Sequence, residues 1–146
     1  MEKENIEKRW GCRFVNDHPT VKIVTELDIV NARRVCREIA KEMGFGIVDQ
    51  ARIATATSEL ASNIYLYANN GVIVVEKIIK EDRKGIAITA IDNGPGISNP
   101  HKLLEEYAKT SNIGAGLPGV KRLMDSIEIE SEIGKGTVIR VEKWVK

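Results

Sequence analysis

The chain of 146 residues has few aromatic residues, few cysteines, almost no net charge and no long apolar run. Aromatics make up 5% of the sequence and the formal net charge is +1, so composition gives no electrostatic reason to expect nucleic acid or an anionic membrane as a partner. Cys12 and Cys36 match no metal-binding spacing, and we expect both to be reduced. No apolar stretch approaches the ~20 residues that span a bilayer. We therefore expect a soluble, cytoplasmic protein.

The periodicity of the apolar residues predicts one domain of the α+β class. Residues 1–19 are polar and without a clean period, and we expect them to be an N-terminal extension to a domain at 20–146. Helices are predicted at 28–43, with Asp28 as the capping residue, and at 48–68 and 117–124. Strands are predicted at 21–25, 72–79, 86–91, 126–132 and 137–145. One leading strand, two hairpins and intervening helices indicate a two-layer α/β sandwich with a mostly antiparallel mixed sheet.

The second predicted helix carries Glu59 and Asn63, which are four residues apart and so project from one face. Asparagine is a poor helix former because its amide competes for backbone hydrogen bonds. Its position in the middle of a predicted helix therefore needs an explanation. A solvated helix face is one reason. The other is magnesium binding, since Mg²⁺ accepts oxygen ligands such as an asparagine carbonyl alongside substrate phosphates. Glu59 beside it could take a proton from an attacking hydroxyl.

Asp92 follows the apolar run Gly85–Ile91, where a carboxylate is costly unless it is paired or hydrogen-bonded. Turn formation is one explanation, because Asp-Asn-Gly favours tight turns. Acceptance of a hydrogen bond from an exocyclic amine, such as that of adenine, is another. Gly94 and Gly96 would then let the backbone close against a flat base. A calcium loop is excluded, because glycines stand at its third and fifth places and Leu103 at its twelfth.

A glycine cluster of the form G-x-G-x-x-G, made by Gly114, Gly116 and Gly119, lies where the last predicted helix begins. As a dinucleotide-binding fingerprint it is weak, because no strand precedes it. It is not a protein-kinase glycine loop either, because the downstream motifs of that family are missing. Unhindered amides at a helix N-terminus favour an anion, so phosphate binding and a flexible hinge both stay open. Thr137 enters the last predicted strand, where most threonines are simply strand formers.

Taken in order, the motifs E-x-x-x-N, D-x-G-x-G, G-x-G-x-x-G and G-x-G-T resemble the GHKL (Bergerat) ATP-binding fold. Gyrase, MutL, the histidine-kinase ATPase domain and the anti-sigma-factor serine kinases share this fold. The resemblance covers about residues 20–146, and four ordered motifs are far more specific than any one of them. The stretches A-R-I-A-T-A-T-S-E-L-A-S-N-I-Y-L-Y-A and G-A-G-L-P-G-V-K-R-L-M-D are similar to the RsbT-type switch kinases of bacterial stressosomes.

The resemblance implies a role for each matching residue. Asn63 would ligate a Mg²⁺ ion that bridges the ATP phosphates, and Glu59 would act as the general base. Asp92 would bind the adenine amine, with Thr137 assisting through water. The wall of the adenine pocket would be formed by Gly94 and Gly96. The phosphates would be held, beneath a lid at 98–113, by Gly114, Gly116 and Gly119.

The resemblance also implies an activity and its partners. The protein would be a serine/threonine-protein kinase that phosphorylates a STAS-domain partner in a stressosome partner switch, and its release would activate a PP2C-type phosphatase. Relatives can place an arginine just before the phosphate glycines, whereas Asn112 and Ile113 stand here and Lys109 is the nearest cation.

Two alternative functions stay open. One is an ATP-gated binding module like an anti-sigma factor, without obligatory catalysis, and the other is an ATPase that uses water as the nucleophile.

Overall fold

The computed structural model describes residues 13–15, 18–97 and 116–146, with side chains for the last two ranges. The strands are β1 Arg13–Val15, β2 His18–Ile23, β3 Gly71–Lys80, β4 Arg83–Asp92, β5 Ser126–Glu132 and β6 Gly136–Trp144. The helices are α1 Glu26–Met43, α2 Ile47–Tyr67 and α3 Gly116–Leu123. Each predicted helix and strand named above is therefore present, with ends shifted by a few residues. The predicted lid at 98–113 and Gly114 lie outside the described residues, as do residues 1–12.

The six strands form one sheet in the order β1-β2-β3-β4-β6-β5. Every neighbouring pair in the described part of this sheet is antiparallel, in agreement with the mostly antiparallel sheet predicted from the sequence. The sheet begins inside the segment predicted as an extension, because Arg13 of β1 pairs with Thr20 of β2. A strand of three residues is too short to show an alternating pattern, and so the sequence alone did not reveal it.

The helices cover one face of the sheet and form the core with it. Alternate residues of the central strand β4, Ile86, Ile88 and Ala90, point into this layer and are buried. Helix α2 contributes a matching apolar face that includes the fully buried Leu60 and Ile64. Each large aliphatic side chain buried in this way stabilises the fold by about 1.5–3 kcal/mol. Together with the sheet order, this layering confirms the α+β prediction.

The other face of the sheet carries no helix among the described residues and contains a cavity of about 310 Å³. The cavity lies over β3, β4, β6 and β5, and two of its lining residues are joined by a hydrogen bond of 2.9 Å from Arg140 to Glu76. None of the residues predicted for the ATP site lines it. The predicted site must therefore be sought on the helical side.

Helix α1 begins with a capping box rather than with Asp28 as its cap, which was the prediction. Thr25 is the N-cap residue, and Asp28 lies three positions further on. The Asp28 carboxylate accepts hydrogen bonds from the backbone N–H groups of Thr25 (2.8 Å) and Val24 (2.9 Å). The bond from Thr25 lowers the pKa of Asp28 most, with Val24 adding to it and slight burial opposing it. Asp28 therefore stabilises the helix start from inside the first turn.

Replacing Asp28 with alanine is expected to lower the free energy of unfolding by about 1 kcal/mol at neutral pH. A carboxyl whose folded pKa is depressed stabilises the fold above its unfolded pKa of about 3.9. That stability is lost as the pH falls through the folded pKa, so the two proteins should converge in acid. Urea unfolding at several pH values measures this. Asp28→Asn, which keeps an acceptor oxygen without the charge, should lose less stability than Asp28→Ala. A difference in unfolding free energy between wild type and Asp28→Ala that persists unchanged in acid would refute the capping role of the Asp28 carboxylate.

Candidate active site

Glu59 meets the N-terminal end of α3. The side chain of Glu59 on α2 is half-buried. Its carboxylate accepts a hydrogen bond from the backbone N–H of Gly116, the first residue of α3. Burial raises the pKa of Glu59, and the hydrogen bond from Gly116 offsets part of that rise. A carboxylate made more basic by desolvation is a better proton acceptor near neutral pH. The structure thus brings together two residues that the sequence took from separate motifs.

Asn63 lies one helical turn beyond Glu59 and is half-buried. The next residue, Ile64, is fully buried against the start of β3, where a Cβ added to Gly71 would come 2.8 Å from Ile64 Cγ2. The same added atom would lie 3.1 Å from Asp92 Cβ, because Gly71 pairs with Asp92 across the sheet. Glycine at 71 therefore allows α2 to approach the end of β4. This close approach places the helix that carries Asn63 beside the strand that ends in Asp92.

Asp92 is the last residue of β4, and its register puts it on the helix-facing side of the sheet. Its Oδ1 atom accepts a hydrogen bond of 2.9 Å from the backbone N–H of Gly94. Among the described residues, its Oδ2 atom has no hydrogen-bond partner. The strand pairing sets Asp92 directly opposite Thr137 of β6. The contact with Gly94 therefore confirms the turn explanation, and the hydrogen bond to an exocyclic amine stays a prediction.

Gly94 and Gly96 are held by packing within the protein. A Cβ added to Gly94 would lie 2.7 Å from the Cβ of Ala68, which ends α2. Gly96 has a φ of +81°, and an added Cβ would collide with the carbonyl oxygen of Glu132. The turn after β4 is therefore clamped between the end of α2 and the β5–β6 turn. The role beside a base that the sequence suggested for these two glycines stays a prediction.

Ser131 supports this turn and was missed in the sequence. Its hydroxyl donates to the carbonyl oxygen of Gly136 (3.0 Å) and accepts from the backbone N–H of Ile97 (2.8 Å). Its oxygen is also 2.8 Å from the hydroxyl of Thr137. Because Ser131 has only one hydroxyl hydrogen, and that hydrogen goes to Gly136, Thr137 must be the donor in this last contact. No spacing pattern in the sequence links Ser131 to these partners.

Gly116 and Gly119 lie in α3, whereas Gly114 is outside the described residues. Gly116 has a φ of +48°, a conformation that favours glycine. A Cβ added to Gly119 would meet nothing within 4 Å among the described atoms, so packing does not demand glycine there. The amide of Gly116 already serves Glu59. At this helix end the Gly116 amide is therefore paired with the Glu59 carboxylate, and phosphate binding by the glycines stays a prediction.

The described ranges 18–97 and 116–146 show neither a cluster of metal-ligating side chains nor a helix that could span a membrane. There, no three or more His, Cys, Asp or Glu side chains gather in a way that could hold a metal ion. A Mg²⁺ ion held by the Asn63 amide and substrate phosphates does not require such a group, because Mg²⁺ is usually bound by one or two protein oxygens plus phosphates and water. None of the helices in the same ranges is long and apolar enough to cross a membrane.

Comparison with known proteins identifies the family. A family profile described as "Histidine kinase-like ATPase domain" matches residues 25–143. The chain belongs to this family. Within it, the chain is 53% identical over 133 residues to serine/threonine-protein kinase RsbT of Bacillus subtilis, covering 90% of this chain and all of that protein. It is 33% identical over 121 residues to an anti-sigma F factor of Caldanaerobacter subterraneus subsp. tengcongensis, covering 78% of this chain and 83% of that protein.

A solved structure shares the fold. The crystal structure of the RsbU and RsbW domains of a Mycobacterium tuberculosis protein superposes with a TM-score of 0.58 at 20% identity. It covers 86% of this chain, whereas this chain spans only 32% of that one. These findings confirm the predicted GHKL-type fold, the use of ATP and the class of serine/threonine-protein kinase. The roles of Glu59, Asn63, Asp92, Thr137 and the glycines stay predictions.

Proposed function

We propose that this ATPase-family kinase transfers the γ-phosphate of ATP to a serine or threonine of a STAS-domain partner in a stressosome switch. When that partner releases it, the kinase activates a PP2C-type phosphatase. The observation that carries the catalytic part is the Glu59–Gly116 contact, in which burial makes a carboxylate more basic at the N-terminus of a helix. The extent of identity to RsbT, 53% over the whole of that protein, supports the partner-switch part.

Asp92 would hold the adenine end of the nucleotide. Its Oδ1 atom is engaged by Gly94, which fixes the carboxylate, and Oδ2 would accept the hydrogen bond of the exocyclic amine. The hydroxyl of Thr137, directly across the sheet, gives its hydrogen to Ser131 and so keeps its lone pairs for a bridging water. Gly94 and Gly96 would form the wall of this pocket.

Asn63, Glu59 and α3 would act at the phosphate end. The Asn63 amide oxygen would help to hold Mg²⁺, which when bound would neutralise phosphate charge. The Gly116 and Gly119 amides, with that of Gly114, would face the phosphates. A phosphate that took the Gly116 amide would displace its bond to Glu59, leaving burial to raise the pKa of that carboxyl further. Glu59 would then be most basic when the nucleotide is in place.

The decisive experiment is a transfer assay with labelled ATP, Mg²⁺ and purified candidate STAS-domain proteins, followed by mapping of the label. Label on a partner serine or threonine is the expected result, with Asp92→Ala protein and a partner lacking the acceptor hydroxyl as controls. Release of the label only as inorganic phosphate would identify an ATPase instead.

A second candidate is an ATP-gated binding module like an anti-sigma factor. The observation that favours it is the 33% identity to an anti-sigma F factor over most of both chains. On this reading, nucleotide controls partner binding and phosphoryl transfer is dispensable. In the transfer assay it predicts ATP-dependent capture of a partner without label, and it predicts that Glu59→Gln leaves signalling intact.

A further inference from the structure

Strand β6 carries a lysine whose ammonium group is buried between two helices. Lys143 is 5% exposed, and its register opposite Ile86 places its side chain on the helix-facing side of the sheet. Its Nζ atom donates a 2.9 Å hydrogen bond to the carbonyl oxygen of Leu123. Asp125 Oδ1 and Asp49 Oδ1 lie 3.7 Å and 3.8 Å from the same nitrogen. A lysine is rarely buried to this extent without such partners.

The partners of Lys143 belong to the ends of two different helices. Leu123 is the last residue of α3, where backbone carbonyls lack partners within the helix and a cation is favoured. Asp49 is in the first turn of α2, where a carboxylate is favoured. Lys143 thus bridges the C-terminal end of α3 to the N-terminal end of α2, using the electrostatic preference of each end.

The same two helices meet a second time, at the Glu59–Gly116 contact. On α2, Glu59 lies about 15 Å of helix beyond Asp49. On α3, Gly116 lies about 10 Å of helix before Leu123. The two contacts therefore hold both ends of α3 against α2, one at the first turn of α2 and one near its middle, and the buried Leu117 and Val120 of α3 lie between them.

We propose that Lys143 is a positioning residue for the phosphate end of the site. By holding the C-terminal end of α3 against the first turn of α2, it sets where Gly116 lies relative to Glu59. A short helix moves as a unit, so release of one end displaces the other. The link from this placement to nucleotide binding rests on the proposed function, whereas the placement itself does not.

The carboxylates around Lys143 have other partners, which makes its removal practicable. Asp49 Oδ1 accepts a 3.0 Å hydrogen bond from Arg52, and Asp125 Oδ2 accepts one of 2.8 Å from the backbone N–H of Trp144. Lys143→Met keeps most of the side-chain volume and removes only the ammonium group. Should the remaining carboxylates still prevent folding, Asp49→Asn combined with Lys143→Met also removes the buried negative charge.

The test compares wild type, Lys143→Met and a matched control, Lys41→Met, which replaces an exposed lysine in the last turn of α1. Hydrogen exchange in the absence of nucleotide should become about tenfold faster in α3 of Lys143→Met, with β3 and β4 unchanged. Calorimetry with Mg²⁺ should show affinity for ATP reduced about tenfold and affinity for AMP unchanged. The Lys41→Met protein should match wild type in both.

The outcomes separate the possible failures. Unchanged exchange in α3 would overturn the positioning role, whatever the nucleotide does. Equal loss of ATP and AMP affinity, with faster exchange throughout the sheet, would also overturn it by showing a general loss of stability. Absence of ATP binding in the wild type would reject the proposed function, while the exchange data would still decide the role of Lys143.

Discussion

Replacing Glu59 with glutamine is expected to slow phosphoryl transfer by about 10²- to 10⁴-fold while leaving ATP affinity unchanged. Glutamine has nearly the same shape and can still accept the hydrogen bond from Gly116, so the helix contact should survive. It cannot take a proton from the attacking hydroxyl. Single-turnover transfer to a STAS-domain partner, measured beside calorimetric ATP binding, separates the two effects. Glu128→Gln, an exposed change on the opposite face of the sheet, is the control.

The pH dependence of the same reaction gives an independent check. A general base acts when deprotonated, and burial raises the pKa of Glu59 above that of an ordinary glutamate. The rate should therefore be lost as the pH falls through this raised pKa, at a higher pH than an exposed carboxylate would give. In Glu59→Gln the residual rate should no longer show this fall at low pH. Transfer at the wild-type rate by this variant would remove Glu59 from the reaction.

Asp92→Ala is expected to weaken ATP binding by about 10- to 100-fold or more, because an acceptor of a buried hydrogen bond is lost. Its structural role complicates this variant, since Oδ1 also holds the turn through Gly94. Asp92→Asn is the sharper change. Asparagine can keep the Oδ1 contact while placing an NH₂ group where Oδ2 was. The stability of this variant should stay near that of wild type, yet its ATP affinity should fall as far as in the alanine variant.

The asparagine variant also tests which group of the base is recognised. Its NH₂ group would face the exocyclic amine of adenine, so two donors would oppose each other. In inosine triphosphate a carbonyl oxygen replaces that amine, and this oxygen can accept from the new NH₂ group. Asp92→Asn should therefore shift the preference from ATP towards ITP in competition calorimetry. Wild-type ATP affinity, or an unchanged preference, would reject Asp92 as the adenine contact.

Local sequence patterns correctly placed those features of the site that lie within a single helix or strand. Glu59 and Asn63 share a face because any α-helix sets residues four apart one above the other, whatever surrounds it. The end of β4 could be placed at Asp92 because the apolar run stops there and turn residues follow. Asp28 was assigned to the right turn of α1 but to the wrong position, because acidic residues are favoured both at the N-cap and three residues later.

The features missed in the sequence all involve partners on another strand, helix or loop. Strand β1 is ordered by pairing with β2 and has too few residues to show a period. Ser131 looked like an ordinary strand residue, yet its hydroxyl joins Ile97, Gly136 and Thr137. Lys143 lies in a predicted strand in which no sequence pattern marks it, yet it is buried against two helix ends. In each case the decisive contact comes from another segment.

By itself, the order of residues determined the family, the helices, the strands other than β1, and which side chains share a helical face. The family follows from the resemblance of four ordered motifs, whereas the helices, strands and shared faces follow from backbone periodicity and turn preference, which act over a few neighbouring residues. Tertiary structure alone decided that Glu59 meets Gly116, that Asp92 stands opposite Thr137, and that a buried lysine joins α2 to α3. Such pairings depend on how the sheet orders its strands and how the helices pack on it, which no local pattern encodes.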